Sequence, residues 1–293
     1  MAIQNKTAVT IGKFDGLHTG HMKLMSIMMK EADKYNLKPV VFSFYPTPGE
    51  FFTKTAVKNI FSESEKRILL NEIGIKSFVG YPFEKIKDMP PEIFIEKILC
   101  GELSCETLVN GSDFRFGKDR SGDIDTLKKY CPLFGINVIE IPNAIENGET
   151  VSSSRIKTFL SSGNLPSANK LLGRFYFIFG TVASGKKIGR TIGFPTVNVP
   201  IPDDKFLPCD GVYATTTLYD GFEYKSVTNI GINPTINGGN VKKCETFIIN
   251  FDEAIYGKEL KILFNEFIRD EMKFDSIDEL KAQIKKDAAY ASK

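Results

Sequence analysis

The sequence predicts an α/β chain in two parts: a doubly wound parallel sheet in the first half, and a compact antiparallel β-barrel followed by a terminal helix in the second. Three observations predict it. At 293 residues the chain is long for one hydrophobic core, and two domains are the default. In the first half, apolar runs of strand length alternate with stretches of helical periodicity. From Arg174 onward the pattern is strand and turn, punctuated by glycine and proline.

The elements follow in order. Thr7–Ile11 reads as a buried strand, and His21–Lys34 as a helix with Leu24, Met25, Met28 and Ala32 on one face. Pro39–Phe44 is a second strand, with others at Ser77–Val79, Thr107–Asn110 and Val138–Ile141; helical stretches lie near Glu63–Ile73, Pro91–Leu99 and Ile124–Tyr130. Such alternation places helices on both faces of a parallel sheet and ligands at the carboxyl ends of its strands. In the second half the strands are Phe175–Val182, Val212–Leu218, Tyr224–Ile230, Thr246–Phe251 and Leu260–Phe267. The last helix carries a capping-box pattern, Ser276 with Glu279, and a stripe of Ile277, Leu280 and Ile284. The boundary is expected near Ser161–Gly173, giving domains 1–170 and 171–293.

Composition narrows the function. A hydrophobic fraction of 42% and a charged fraction of 25% are those of an ordinary globular protein. The net charge of +2 is too small to indicate a nucleic-acid partner. The five cysteines form no CxxC pair and lie far from the two histidines, which argues against a zinc site and a disulfide framework and for free thiols in a reducing compartment. With no signal-peptide pattern and no apolar run of membrane-spanning length, a cytoplasmic location is expected.

Two segments carry chemistry. Gly12-Lys13-Phe14-Asp15-Gly16-Leu17-His18-Thr19-Gly20-His21 follows a strand and opens a helix. Its glycines permit tight turns, and the helix N-terminus offers backbone N–H groups and a positive dipole end to phosphate. His18 and His21 add ring N–H groups, which suits nucleotidyl transfer, where charge around the α-phosphate is stabilised without a covalent intermediate. Two incidental loop histidines would look the same in isolation. Val151-Ser152-Ser153-Ser154-Arg155-Ile156-Lys157 offers a second phosphate clamp, although a serine run at a helix start also serves as a plain N-cap.

The second segment runs from Gly180 through Gly185, Lys186, Gly189 and Gly193 to Phe194-Pro195-Thr196-Val197-Asn198. Glycine turns let N–H groups face phosphates. Thr196 and Asn198, two apart on a strand, share a face and can bring a hydroxyl and an amide oxygen to one Mg²⁺. Phosphorylating an alcohol also needs a carboxylate to take the hydroxyl proton; read alone, Glu245 is more readily an exposed strand glutamate than that base.

With these residues in view, the chain resembles the bacterial bifunctional riboflavin kinase/FMN adenylyltransferase family. The first half resembles the adenylyltransferase module through Gly12–His21, Phe44-Tyr45-Pro46, Asn110–Gly117 and Val151–Lys157. The second half resembles the riboflavin kinase module through Gly180–Asn198, Gly211–Ala214, Asn229–Thr235, Cys244–Phe247 and Ile268–Phe274. The resemblance implies that ATP and Mg²⁺ serve two steps, from riboflavin to FMN and from FMN to FAD. It implies ATP contacts from Gly12, Phe14, Gly16, Ser153, Ser154 and Lys157 in the first domain, with His18 and His21 on the triphosphate. In the second it implies ATP contacts from Gly180, Gly185, Lys186, Gly189, Gly193, Thr196 and Asn198, with Glu245 as base. Asp113, Phe116 and Arg269 are implied at flavin. The chain departs from the family pattern at Lys13, Thr47, Ser154, Lys157 and Phe247, where the family carries Asn, His, Thr, Arg and His.

Three alternatives compete: an enzyme with one live activity, the adenylyltransferase half being the weaker; a non-catalytic flavin or nucleotide binder; and a nucleotidylyltransferase for another small phosphate ester, which the riboflavin-kinase-like half argues against. A fragment from about Leu171 to Lys293 is expected to fold and phosphorylate riboflavin on its own.

Overall fold

A computed structural model of the chain describes residues 5–183, 193–234 and 240–293. It forms two compact units: Met1–Val57 with Lys66–Ser152, and Lys58–Glu65 with Ser153–Lys293.

The first unit carries β1 (Thr7–Ile11), α1 (Thr19–Tyr35), β2 (Lys38–Tyr45), α2 (Pro48–Thr53), most of α3 (Glu63–Glu72), β3 (Ser77–Pro82), α4 (Pro91–Phe94) continuing as π-helical turns Ile95–Glu102, β4 (Cys105–Gly111), α5 (Ile124–Tyr130), β5 (Asn137–Ile141), and a small hairpin of β6 (Ile145–Glu146) and β7 (Glu149–Thr150). Its five-stranded sheet has the order β3-β2-β1-β4-β5, with every pair parallel. Parallel strands covered on both faces read as continuous apolar runs, and all five residues of β1 are buried. Val9, Ile11, Val40, Phe42 and Leu108 pack with Phe94, Ile95, Ile98 and Leu99. The helix α1 buries Leu24, Met25, Met28 and Ala32, the expected face, and stops at Asn36, whose left-handed backbone returns its N–H to the Ala32 carbonyl.

The strand order reverses between β1 and β4, the point where open α/β sheets make a ligand crevice. Regular pairing of these strands ends at Val9 opposite Leu108. Beyond it the buried side chain of Asn110 imitates a backbone partner: Ile11 N–H donates to Asn110 Oδ1 (3.1 Å), and Asn110 Nδ2 donates to the Ile11 carbonyl (2.9 Å). The carboxyl ends of β1 and β4 are thereby held together while the following loops separate.

The second unit begins with α6 (Ser153–Ser161) and α7 (Leu165–Leu172) and continues through β8 (Tyr176–Thr181), β9 (Thr196–Val199), β10 (Gly211–Tyr219), β11 (Phe222–Pro234), β12 (Asn240–Ile248) and β13 (Glu259–Arg269) to the terminal helix Ile277–Ala291. Its antiparallel sheet has the order β8-β13-β10-β11-β12-β9. The edge strands meet where Ala183 N–H donates to the Asn198 carbonyl (2.8 Å), so the sheet curls into the expected barrel. One buried face of this sheet is lined by hydroxyls, with Thr215 bonded to Ser226 and Thr228 (2.8 Å each), Thr217 to Ser226 (2.9 Å) and Thr228 to Thr246 (2.9 Å). A hydroxyl can both donate and accept, so neighbours in the row serve one another as partners.

Some expectations are corrected. The stretch Ser161–Gly173, expected as the chain break, contains α7, capped by Asn164 and Gly173 and burying Leu165, Ala168, Leu171 and Leu172. Asn169 ties it to the barrel: its Nδ2 donates to the Phe264 carbonyl (3.0 Å) and its Oδ1 accepts from Tyr176 N–H (2.7 Å). The compact units part at Ser153. The strand expected at Thr246–Phe251 ends at Ile248 and begins earlier, at Asn240. In the terminal helix Ser276 caps Glu279 N–H as expected (3.2 Å), but Ile277 is 60% exposed, and the fully buried residues are Asp287 and Ala291. Asp287 is buried because Arg269 grips both its oxygens, through Nε at 3.2 Å and Nη2 at 2.7 Å, while Gln283 donates to Oδ1 (2.8 Å).

Inside the second unit lies an ion pair that the sequence does not advertise. Lys205 and Glu65 are both 0% exposed, with Nζ 2.5 Å from Oε2. Lys205 also donates to the Phe177 carbonyl (2.6 Å) and lies 4.5 Å from the Tyr176 ring centroid and 4.8 Å from that of Phe61. Glu65 accepts from Ser62 N–H (2.8 Å) and Phe179 N–H (2.9 Å). Burial lowers the Lys205 pKa and the Glu65 charge opposes that fall. Removing one partner of such a pair leaves a buried charge uncompensated, so Glu65→Gln is expected to destabilise the second unit by about 3–5 kcal/mol, read from urea unfolding followed by circular dichroism. A fragment starting near Leu171 lacks Glu65, and is expected to unfold at lower urea than one in which Lys58–Glu65 is joined to Ser153–Lys293; equal midpoints would remove the ion pair's importance.

Candidate active sites

In the first unit, the segment after β1 turns through a run of unusual backbone. Phe14 (φ 50°), Gly16 (φ 81°) and Leu17 (φ 43°) are left-handed, and α1 starts directly after His18. Gly12 donates to the Phe42 carbonyl (3.1 Å), and a Cβ there would stand 3.0 Å from the Phe14 ring. Phe14, expected to contact ATP, is itself 1% exposed and meets His21 edge-on at 5.2 Å, which makes it a support for the imidazole. Gly16 is buried in the turn.

His18 and His21 stack, with ring centroids 3.6 Å apart and planes at 19°. The spacing of three residues across the helix start creates this contact, and Gly20 is part of it: a Cβ there would lie 3.3 Å from His18 Cε1 and Nδ1. Burial pushes the His18 pKa down to about 4, against the pull of Asp15 and then Asp113. Burial, followed by the proximity of His18 and Lys66, holds His21 well below the ordinary imidazole value. Both rings are neutral at pH 7, and each keeps a buried Nδ1 with no hydrogen-bond partner. Two orphaned ring nitrogens at the positive end of a helix suit a phosphoryl group as the missing partner.

Asp113 lies exposed in the loop after β4, near enough to His18 to influence it. A Cβ on Gly111 would meet Asp113 Oδ1 at 3.0 Å, so the glycine makes room for the carboxylate. Phe116, expected at flavin, is instead a core residue, 5% exposed and stacked on Phe114 at 5.5 Å. Sequence reasoning missed Asp15, buried at 2% exposure beside His18, and Lys66, buried beside His21. Neither lies at a distinctive spacing. Asn110, quoted only for its resemblance, proves to be the clamp between β1 and β4. Lys13 lies with its Nζ 4.0 Å from Asp15 Oδ2. Thr47, which stands where the family has His, caps α2 through a reciprocal box with Glu50, whose Oε2 accepts from Thr47 N–H (2.9 Å).

In the second unit, Ser153 and Ser154 open α6. Lys157 donates to the Lys58 carbonyl (2.6 Å) and lies over the Phe206 ring. Gly180 lies inside β8, opposite Leu260, where a Cβ would collide with Val199 Cγ1 at 2.8 Å; strand packing, not a phosphate turn, explains it. Gly185, Lys186 and Gly189 lie outside the described residues. Gly193 has φ 85°, open space around its Cα, and lines a cavity of about 310 Å³ with Val182, Thr196, Asn198, Phe251 and Tyr256.

Register decides the arrangement around Glu245. Asn198 of β9 stands directly opposite Glu245 of β12, and Thr196 opposite Phe247. Opposed residues share a sheet face, so the hydroxyl, the amide and the carboxylate converge on one surface, the reverse of the hydroxyl row that includes Thr246. Phe247, in place of the family's histidine, packs edge-on against Phe194 at 5.3 Å. Arg269, expected at flavin, is committed to Asp287 of the terminal helix.

Comparison with known proteins gives the family. The FAD synthetase family model matches residues 1–155, and the riboflavin kinase (Flavokinase) model matches residues 172–293. A bifunctional riboflavin kinase/FMN adenylyltransferase from Buchnera aphidicola subsp. Acyrthosiphon pisum is 37% identical over 99% of this chain and 94% of its own. The protein of that description from Escherichia coli K12 is 36% identical over 99% of this chain and 93% of its own. The chain belongs to the bifunctional riboflavin kinase/FMN adenylyltransferase family. A crystal structure described as a macrolide-efflux protein from Streptococcus pneumoniae shares the fold, with a TM-score of 0.85, 29% identity, and coverage of 100% of this chain and 98% of that one. Among the described residues of this family member, no helix is long and apolar enough to cross a membrane.

The depressed histidines have a consequence for stability. An unfolded histidine takes a proton near pH 6.5 and buried His18 only near 4, so acidification in that window favours the unfolded chain. Stability is complete above about pH 6.5 and falls as pH drops toward 4, by about 2 kcal/mol between pH 7 and 5 from His18 alone. Urea midpoints at the two pH values measure it, and His18→Asn should flatten the difference; an unchanged slope in that variant would assign the effect elsewhere.

Proposed function

We propose that the two constellations divide the synthesis of FAD between them, the Glu245 face making FMN and the histidine pair adenylylating it. The enzyme transfers a phosphoryl group from ATP to riboflavin, and then an adenylyl group from a second ATP to FMN, releasing pyrophosphate. The observation that carries the assignment of residues is the cross-strand register of Asn198 with Glu245, which sets a carboxylate beside the oxygens best suited to a metal–phosphate complex.

For the kinase step, Glu245 accepts the proton of the attacking hydroxyl. Thr196 Oγ1 and Asn198 Oδ1 are hard oxygen donors on one face, and among the described residues no cluster of His, Cys, Asp and Glu forms an all-protein cation cage. That donor set fits Mg²⁺, which takes few protein ligands and completes its shell with phosphates and water. When bound, Mg²⁺ neutralises charge on the transferring phosphate. The cavity of about 310 Å³ beside Thr196 and Asn198 is the place proposed for ATP. Glycines 185, 189 and 193, with Lys186, keep their proposed contacts to its phosphates.

For the adenylyl step, neutral His18 and His21 donate ring N–H groups to phosphoryl oxygens at the head of α1. A bound anion favours imidazolium, so nucleotide binding raises their pKa values and takes up protons. Ser153, Ser154 and Lys157 are the proposed second clamp on that phosphate, and Asp113 the proposed neighbour of FMN. Five free thiols support a reducing, cytoplasmic setting.

Incubation with riboflavin, ATP and Mg²⁺, followed by chromatography, should yield FMN and then FAD; FMN alone would leave one live activity, and neither product a binder. Glu245→Gln is expected to lower FMN formation by about 10²–10⁴ while FAD formation from supplied FMN continues. His21→Ala should do the converse. Parallel loss of both activities in either variant, with an intact circular dichroism spectrum, would show that the two sites are not independent.

A further inference from the structure

The sheet face that carries Glu245 continues onto the next strand. Glu245 stands opposite Asn198 on one side and opposite Asn229 of β11 on the other, so its carboxylate lies between two carboxamides. Asn198 belongs with the metal and the phosphates. Asn229 has no part in the chemistry derived above.

Three features single it out. Its Nδ2 donates to Glu271 Oε1 at 3.1 Å, while its Oδ1 is buried and has no hydrogen-bond partner. Two residues along the same face, Gly231 forms a notch under Glu271: a Cβ there would lie 1.9 Å from Oε1 and 2.6 Å from Cδ of that carboxyl. No side chain larger than hydrogen fits beneath the carboxylate. Glu271 is otherwise exposed, and its backbone approach is set from the other side, where Arg269 is anchored on Asp287 and its Nη1 holds the Asp270 carbonyl (2.9 Å). A solvent-facing glutamate gains little from being fitted into a notch, and a buried amide oxygen without a donor is costly. Both facts are explained if a ligand brings donors to this place.

The ligand's chemistry follows from the donor set. Next to the proposed base, a carboxylate and an amide oxygen accept hydrogen bonds and the second Nδ2 hydrogen can donate one. Glu245 takes the proton of a terminal hydroxyl, and Asn229 stands directly opposite it, so the groups nearest this pair are the neighbouring hydroxyls of the same chain, which both donate and accept. We propose that Asn229 and Glu271, seated on Gly231, recognise the hydroxyls of the acceptor's sugar-alcohol chain, Asn229 contacting them through Oδ1 and positioning Glu271 through Nδ2. The pair thus selects a polyol acceptor and delivers its terminal hydroxyl to Glu245; this rests on the assignment of Glu245 as base.

The test is steady-state FMN formation by the full-length enzyme, with riboflavin varied, ATP varied, and lumiflavin, which carries the ring without the hydroxylated chain, as a competitive inhibitor. Asn229→Ala, Glu271→Ala and Gly231→Ala should each raise the KM for riboflavin about tenfold, with the KM for ATP and the inhibition constant of lumiflavin unchanged. Gly231→Ala should add nothing in a Glu271→Ala background, because the notch then has nothing to seat. Glu271 is exposed, so its alanine variant tests the proposal even if the strand variants fold poorly. An unchanged riboflavin KM in Glu271→Ala and Asn229→Ala overturns it, as does an equal loss of affinity for lumiflavin, which would make the pair a general shape element. Glu245→Gln separates the two assignments: full turnover in that variant defeats the base, while the KM pattern of Asn229→Ala still decides the hydroxyl seat.

Discussion

The buried pair of Lys205 and Glu65 is the constraint around which the second unit is built. A charge at zero exposure is tolerable only if every hydrogen bond it can make is made, and here the ammonium meets a carboxylate, a carbonyl and aromatic faces, while the carboxylate meets two backbone N–H groups. Satisfying those groups requires β8, the Pro202–Phe206 turn and the segment Lys58–Glu65 to be in place together. A stretch of chain that stands early in the sequence is consequently structural material of the barrel unit. The pair confers specificity more than net stability, since a single arrangement of three distant segments completes it.

The candidate sites use simpler devices. In the first unit, a side chain, Asn110, finishes the β1–β4 ladder beyond its last backbone pair, and the segment that follows β1 carries the stacked histidines. Burial disfavours the charged form of both, reinforced at His21 by the neighbouring His18 and opposed at His18 by Asp15 and Asp113. In the second unit, the antiparallel register does the positioning. A shift of β12 by one residue would turn Glu245 into the hydroxyl-lined interior and expose Thr246, so the interior row of threonines that fixes the register also fixes which way the proposed base faces.

Departures from the family pattern have local reasons. Thr47 caps a short helix with Glu50, and Phe247 fills an aromatic contact with Phe194. Each replaces a side chain at the margin of a site with one that packs or caps, and neither removes His18, His21, Thr196, Asn198 or Glu245. Gly180 resembles a phosphate-loop glycine in a linear reading, yet it is required because the Val199 side chain occupies the place of its Cβ.

By itself the sequence determined the two architectures, because strand and helix periodicity are local properties, and it pointed to two candidate phosphate-binding segments, because turns, helix starts and strand alternation place residues a few positions apart. The helix α1 face, the buried β1 and the Ser276 cap were legible for that reason. Burial and long-range partnership were not. Whether Phe116 and Phe14 face a ligand or the core, whether Arg269 reaches outward or grips Asp287, and whether Ser161–Gly173 is a linker or a docked helix depend on residues as far as some hundred positions away. Only the tertiary structure brought Glu65 to Lys205, Asn110 to Ile11 and Glu271 to Asn229, since each contact joins chemically ordinary residues that no spacing marks and that gain their character from the environment the fold closes around them.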